Sequence, residues 1–216
     1  MRILIEEGAR VEIEAMFKAD IAEQRALARH AINGFVTCVT EGAIERLSEC
    51  LCALELTGAT TQAFRAIGRG NGAPDSFRQA FVDVWISSGD HIRSEVNDEI
   101  VLKGALRRLL PHYEGASLTL YRGDSAFNRQ RRTYGLSWTS NLETARDFAG
   151  RICRTFEGGS VVLKSIVSPE AIICAPALHS HAYGEKEYLV DRRKLSRVQV
   201  IERLPQISLA ASAAPP

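Results

Sequence analysis

Residues 111–121 read Pro-His-Tyr-Glu-Gly-Ala-Ser-Leu-Thr-Leu-Tyr, and the hydrophobic pattern of the chain changes within this stretch. Pro111 lacks the backbone N–H that a helix interior uses, so it is expected to end the helix that precedes it. The alternation of polar and apolar residues from Ser117 to Tyr121 is typical of a half-buried strand. The sequence therefore predicts a helical first part and a β-rich second part.

Upstream of Pro111, apolar residues recur at helical spacing. Three groups show it: Ile44, Leu47, Leu51 and Leu54; Phe77, Phe81, Val84 and Trp85; and Leu102, Ala105, Leu106, Leu109 and Leu110. The stretch Gly68-Arg-Gly-Asn-Gly-Ala-Pro74 interrupts the pattern and predicts a loop. Asp75 or Ser76 is expected to cap the helix that follows.

Downstream of Gly115, the segments are short and rich in β-branched residues. Strands are predicted at 117–121, 161–167, 171–174, 187–190 and 197–201, with one helix at 142–154 whose inner side carries Ala145, Phe148, Ala149 and Ile152. The predicted fold class is α+β. It comprises a helical region over residues 1–112, a compact mixed or antiparallel sheet domain over 113–204 and a disordered tail over 205–216.

The composition narrows the classes of function. The chain has 216 residues, and its 27 basic and 26 acidic residues nearly cancel, so nucleic acid is not expected as a partner. No window approaches the roughly 18 uncharged apolar residues that span a bilayer, and the start lacks a signal-peptide pattern. The five cysteines suit a reducing compartment. We therefore expect no membrane association and a cytoplasmic location, or export without a classical signal peptide.

Three segments of the second part place polar groups at strand ends: Tyr121-Arg-Gly123, Gly135-Leu-Ser-Trp-Thr-Ser140 and Gly184-Glu-Lys-Glu187. Arg122 can direct its guanidinium at a phosphate while Gly123 lets a ligand come close, or Arg122 can simply bridge to a neighbouring loop. The hydroxyls of the second segment can hold a ribose while Trp138 stacks on the ligand or packs in the core.

In the third segment, Glu185 and Glu187 stand two residues apart, and such residues face the same side of a strand. Two neighbouring carboxylates repel each other, which raises the pKa of one of them and suits general-base or cation-stabilising work. The alternative is a solvated turn before the strand.

Taken together, the order and spacing of the three segments resemble the arginine, serine, glutamate class of mono-ADP-ribosyltransferases, which includes toxins, bacterial effectors and phage-borne members. Tyr121-Arg122-Gly123 matches the arginine motif, and Glu185-Lys186-Glu187 matches the Glu-x-Glu motif. Either Trp138-Thr139-Ser140, or Ser137 with Thr139, matches the Ser-Thr-Ser strand. The resemblance runs from about Tyr113 to Glu202 and leaves out the helical part.

The resemblance implies an ADP-ribosyltransferase-like fold that uses NAD as a substrate and a protein as the acceptor. Glu187 would be the catalytic carboxylate, and Glu185 would favour arginine as the acceptor side chain. Arg122 and Gly123 would lie against NAD, as would Ser137, Trp138, Thr139 and Ser140. No metal is required.

Two alternatives use the same segments: hydrolysis of NAD by water, and a catalytically silent binding module. Other polar clusters are interpreted as structural. Cys50-Leu-Cys52 fits a helix core better than a metal site. His179-Ser-His181 is interpreted as a loop without function, with a place beside Glu185 in the acceptor cleft as the alternative. Arg129-Gln-Arg-Arg132 is interpreted as a solvated loop, with contact to NAD phosphate or nucleic acid as the alternative.

Overall fold

The structure is a computed structural model, which describes residues 7–178 and 186–206. The chain divides into two compact units. The helical unit comprises residues 7–81 and 88–109, and the sheet unit comprises residues 82–87 together with 110–178 and 186–206. The predicted α+β class is confirmed at this level: helices come first, and a six-stranded antiparallel sheet follows.

The boundary between the two units differs slightly from the predicted one. The chain changes unit after Leu109, whereas the predicted helical region ends at residue 112. No sequence pattern indicated that residues 82–87 group with the sheet unit. Of the predicted tail, residues 207–216 lie outside the described residues.

The first part of the chain consists of helices whose buried side chains follow the predicted spacing. Their bounds are α1 Glu7–Glu41, a 3-10 turn Ile44–Arg46, α2 Leu47–Leu56, α3 Thr60–Arg69, α4 Asp75–Val96 and α5 Glu99–Leu109. Leu54, Phe77 and Leu106 are buried, whereas Leu51 and Val84 are half-buried. No helix in the described ranges combines the length and the apolar character needed to cross a membrane.

The predicted glycine-rich loop is shorter than expected. Helix α3 continues through Gly68 to Arg69, so the loop begins only at Gly70. A Cβ on Gly68 would lie 3.2 Å from the carbonyl carbon of Gly104 on α5, which shows that Gly68 lets the two helices approach. The predicted cap was also wrong, because the N-cap residue of α4 is Pro74 and no side chain caps the helix.

The sheet unit contains six strands and two further helices. The strands are β1 Leu118–Ser125, β2 Ser137–Thr139, β3 Ser160–Val167, β4 Ile172–Cys174, β5 Glu187–Val190 and β6 Gln199–Leu204; the helices are α6 Ala126–Arg131 and α7 Leu142–Thr155. The strand order is β4-β5-β2-β1-β3-β6, and every neighbouring pair is antiparallel. Strand β5 has the predicted bounds, whereas β1 runs four residues further than expected, to Ser125.

The two faces of the sheet have different partners. On one face, which we call the α7 face, Val162 packs against Ala145 and Ala149 of α7. On the other, which we call the core face, Leu120, Trp138 and Tyr188 belong to one buried cluster. Successive side chains of a strand alternate between the faces, so each motif residue can be assigned to one of them.

Helix α7 confirms most of its predicted inner side. Ala145 and Ala149 are buried and Ile152 is half-buried. Phe148 was predicted wrongly: it is 37% exposed, and its ring lies 4.5 Å from the guanidinium carbon of Arg151. Cys153 is buried in its place, because the helical period brings residue 153, rather than 148, above the same face as 145 and 149.

Candidate functional site

The three polar segments predicted from the sequence lie on neighbouring strands. Arg122 is on β1, Ser137 to Thr139 form β2, and Glu187 begins β5. Strand β2 lies between β5 and β1 in the sheet. Segments that are far apart in the sequence are therefore held side by side by backbone hydrogen bonds.

A row of side chains crosses these strands on the α7 face. Tyr121 of β1 lies directly opposite Thr139 of β2, and Thr139 lies directly opposite Glu187 of β5. Opposite residues of antiparallel strands have Cβ atoms about 5 Å apart and project from the same face. We call these residues, with Lys164 opposite Tyr121 on β3, the cross-strand row. Its members Tyr121, Lys164 and Glu187 are half-buried.

The register places two of the predicted hydroxyls on the side of Glu187. Thr139 stands directly opposite Glu187, and Ser137 projects from the same face two residues away. Thr139 is buried, and its Oγ1 accepts a hydrogen bond from the Asn141 backbone at 3.0 Å. Ser137 and Ser140 are exposed, and Ser140 lies beyond the end of β2. Ser137 and Thr139 therefore share the face of Glu187, whereas Trp138 between them projects from the other face.

Trp138 occupies the core side of β2. Its side chain is 2% exposed, and its ring meets Tyr134 edge to face at a centroid distance of 6.3 Å. Its indole Nε1 is buried without a hydrogen-bond partner. Sequence analysis left both a ligand contact and a core position open. In the core position, Trp138 supports the site by fixing β2 rather than by stacking on a ligand.

Arg122 also points to the core face, away from the cross-strand row. Its Nε donates to Asp124 Oδ2 at 2.7 Å, and its Nη1 donates to the carbonyl oxygen of Ser137 at 2.5 Å. Asp124 is 2% exposed and accepts from the Ser125 backbone and from Asn128 Nδ2, each at 2.8 Å. The side chain of Arg122 is 18% exposed. Arg122 therefore fastens the start of β2 to β1 and does not share a face with Glu187.

Gly123 was expected to let a ligand come close, but its lack of a side chain makes room for helix α7 instead. A Cβ on Gly123 would collide with the carbonyl oxygen of Ala145 and the amide nitrogen of Ala149. Both are backbone atoms of α7 and cannot turn aside as the tip of a side chain can. The glycine is thus what allows α7 to lie directly on β1.

Glu185 and the two histidines of His179-Ser-His181 lie outside the described residues, so the predicted pairing of Glu185 with Glu187 stays a prediction. Lys186, the residue between the two glutamates, has a left-handed backbone with φ 45°. A side chain with a Cβ adopts this conformation at a cost of roughly 1–2 kcal/mol. The chain therefore turns sharply just before Glu187 enters the sheet.

Cys174 is a buried thiol whose protonation is linked to the charge of Glu187. Burial raises the pKa of the Cys174 thiol to about 12, and the negative charge of Glu187 adds to that effect. Burial likewise raises the pKa of Cys38 to about 11, with a further contribution from neighbouring Cys50. Both thiols are therefore protonated and unreactive at neutral pH, because the thiolate is the nucleophile.

We expect iodoacetamide to modify Cys52 and to spare Cys174 in the folded protein at about pH 8. Cys52 is exposed, whereas the other four cysteines are buried. Because the pKa of Cys174 is raised from 9.0, its contribution to stability is complete below about pH 9 and is lost as the pH rises towards 12. Peptide mapping by mass spectrometry measures the labelling, and unfolding in urea provides the fully labelled control. Rapid labelling of Cys174 in the native protein would contradict the burial of its thiol.

Comparison of the chain with protein-family models, with curated proteins and with solved structures gave no match. Tyr121 and Lys164, which lie in the same cross-strand row as Glu187, were not predicted from the sequence. Tyr121 was part of the quoted arginine motif, but only the strand register shows that it, and not Arg122, shares a face with Glu187. Lys164 stood inside a predicted strand without a motif, so no signal pointed to it.

Proposed function

We propose that this chain is an NAD-dependent mono-ADP-ribosyltransferase that transfers ADP-ribose to a protein side chain, with arginine as the acceptor. The observation that supports this most is the position of Glu187, which lies half-buried on β5 and directly opposite Thr139 of the central strand β2. A carboxylate held beside a hydroxyl on a rigid strand pair is suited to act on a ribose.

The proposed reaction requires a carboxylate to stabilise the positive charge that develops on the ribose. When the bond between the nicotinamide nitrogen and C1′ of the ribose breaks, its electron pair leaves with nicotinamide and positive charge develops on the sugar ring. Glu187 would stabilise that charge electrostatically. The acceptor guanidinium nitrogen then bonds to C1′ and releases one proton. The resemblance assigns Glu185 to receive this proton and to orient the acceptor.

The neighbours of Glu187 have separate tasks in this proposal. The hydroxyls of Thr139 and Ser137 lie on its face and would fix the ribose and the carboxylate. Tyr121, half-buried beside Thr139, offers an aromatic wall for an apolar part of NAD. Trp138, Gly123 and Arg122 support the strands from which these groups project.

The cation that meets the phosphates of NAD is assigned to Lys164. It stands opposite Tyr121 on the α7 face, whereas Arg122 is held on the core face by Asp124 and the Ser137 carbonyl. Lys164→Gln should raise the KM for NAD roughly tenfold, the scale of one lost charge-assisted hydrogen bond, and leave the melting temperature nearly unchanged. Arg122→Gln should instead lower the melting temperature by several degrees, because it leaves Asp124 buried without its cation.

Steady-state kinetics and thermal melts on the two variants separate these roles. Lys164 fails as the phosphate contact if its replacement leaves KM unchanged. A rise in the KM for NAD in Arg122→Gln without any loss of stability would indicate that Arg122, and not Lys164, contacts the phosphates of NAD.

The activity itself is tested by the release of nicotinamide from NAD by the purified chain, with and without the arginine analogue agmatine. A transferase should form ADP-ribosylagmatine and release nicotinamide faster when agmatine is present. Glu185→Gln should lose transfer to agmatine while keeping slow hydrolysis of NAD. Release that agmatine does not affect would favour the glycohydrolase, and no release together with no binding of NAD would favour the silent binding module.

A further inference from the structure

A cleft lies in the sheet unit, apart from the cross-strand row. It has a volume of about 460 Å³ and lies between α6 and the segment that follows β5, and five of the residues that line it are arginines: Arg129, Arg132, Arg192, Arg193 and Arg197. Arg129 and Arg132 precede the other three arginines by about 60 residues in the sequence. The cleft therefore combines arginines from two separate segments, which only the fold brings together.

The described walls of the cleft carry positive charge. None of the described residues lining it is an aspartate or a glutamate. The Nε of Arg129 is buried without a hydrogen-bond partner, and burying such a donor is unfavourable unless a partner supplies an acceptor. Arg132, Arg193 and Arg197 are exposed at the rim. The arginine side chain stays charged at every physiological pH, so the site attracts anions throughout that range.

The chemistry of the walls favours phosphate over carboxylate. A guanidinium presents a planar fork of donors that matches two phosphate oxygens at once. Besides Arg192, four arginines line the cleft, and together they offer more donors than a single carboxylate can accept. Leu195 and Val198 add an apolar wall beside them, which suits the base or the sugar of a nucleotide. The near-neutral net charge of the chain, +1, does not provide the broad field of a general nucleic-acid binder.

The cleft and Glu187 lie on different sides of the sheet. Leu195 and Val198 of the cleft pack against the core cluster that contains Trp138 and Tyr188, and Arg192 Nη1 donates to the carbonyl oxygen of Tyr134 at 3.2 Å. Glu187 begins β5 on the α7 face, whereas Arg192 follows the other end of that strand. One ligand cannot therefore occupy both places without passing around the sheet.

We infer that the arginine cleft binds a compact ligand with two or more linked phosphates, of the nucleoside diphosphate class, at a site separate from the cross-strand row. This site goes beyond the proposed transfer reaction. A nucleotide bound there contacts Arg129 of α6. On the same helix Asn128 donates to Asp124, which accepts from Arg122, and Arg122 in turn donates to the Ser137 carbonyl of β2.

Isothermal titration calorimetry of the full chain with ADP, inorganic pyrophosphate and adenosine tests this inference. ADP should bind, and adenosine should not bind measurably. The double variant Arg193→Gln with Arg197→Gln should bind ADP at least tenfold more weakly. Its matched control, Arg154→Gln with Arg203→Gln, removes the same charge from residues outside the cleft and should bind like the unaltered chain.

The outcomes separate the possible sources of binding. Pyrophosphate that binds as tightly as ADP supports a site for the phosphates alone, and weaker binding of pyrophosphate supports recognition of the whole nucleotide. An equal loss in the matched control would overturn the inference, because binding would then follow net charge only. No binding at all, or tight binding of single-stranded RNA without ADP binding, would overturn it as well.

Discussion

Replacing Glu187 with glutamine is expected to lower the rate of nicotinamide release at least 100-fold, which corresponds to about 3 kcal/mol of lost transition-state stabilisation. Glutamine keeps the size of the side chain and its hydrogen-bonding capacity but removes the negative charge. The sugar cation would then form without a counter-charge, while NAD binding should change much less. Chromatographic measurement of nicotinamide gives the rate, and titration with NAD gives the affinity.

The control for this variant is Glu157→Gln, an exposed glutamate between α7 and β3 that takes no part in the cross-strand row. It should release nicotinamide at the rate of the unaltered chain. Both variants should melt at similar temperatures, since Glu187 is only half-buried. If Glu187→Gln retained the full rate, the assignment of Glu187 as the catalytic carboxylate would be wrong, both for transfer of ADP-ribose and for hydrolysis of NAD.

The existence of the strands was easier to predict than the face on which each residue lies. The stretch Glu187-Tyr-Leu-Val190 predicted β5 with its observed bounds, and Pro111 stands just beyond the end of α5 at Leu109. These signals are local. Which residues of β1 share a face with Glu187 depends instead on the register of β2 with β1 and with β5, and a shift of one residue would exchange Tyr121 for Arg122. No pattern within the arginine motif decides that.

Close approach of backbones is a second property that the sequence could not display. Gly68 was interpreted as the start of a loop, yet it lies inside α3 where α5 passes, and a Cβ there would be 3.2 Å from the Gly104 backbone. Gly123 was interpreted as space for a ligand, and it is space for α7. A glycine in a sequence can indicate a turn, a ligand contact or a close approach of two backbones. Only the neighbours that folding brings near show which of these roles it has. The arginine cleft has the same origin, since its two halves meet only in the folded sheet unit.

Gly123→Ala should therefore destabilise the protein by about 3 kcal/mol, the upper part of the range for overpacking a buried site. The added methyl group would meet backbone atoms of Ala145 and Ala149, so α7 as a whole must move away from β1. Its separation would also disturb Thr139, which receives a hydrogen bond from the residue that caps α7. Urea denaturation measures the change in the free energy of unfolding.

Gly150→Ala is the matched substitution on α7 itself, because a Cβ at that position has no atom within 4 Å. It should stabilise the protein by about 0.5–1 kcal/mol, since alanine loses less conformational entropy than glycine in a helix. The pair also decides between the two interpretations of Gly123. If its role were to admit NAD, Gly123→Ala would weaken NAD binding at unchanged stability; if its role is to seat α7, stability falls first and binding is lost only as a consequence.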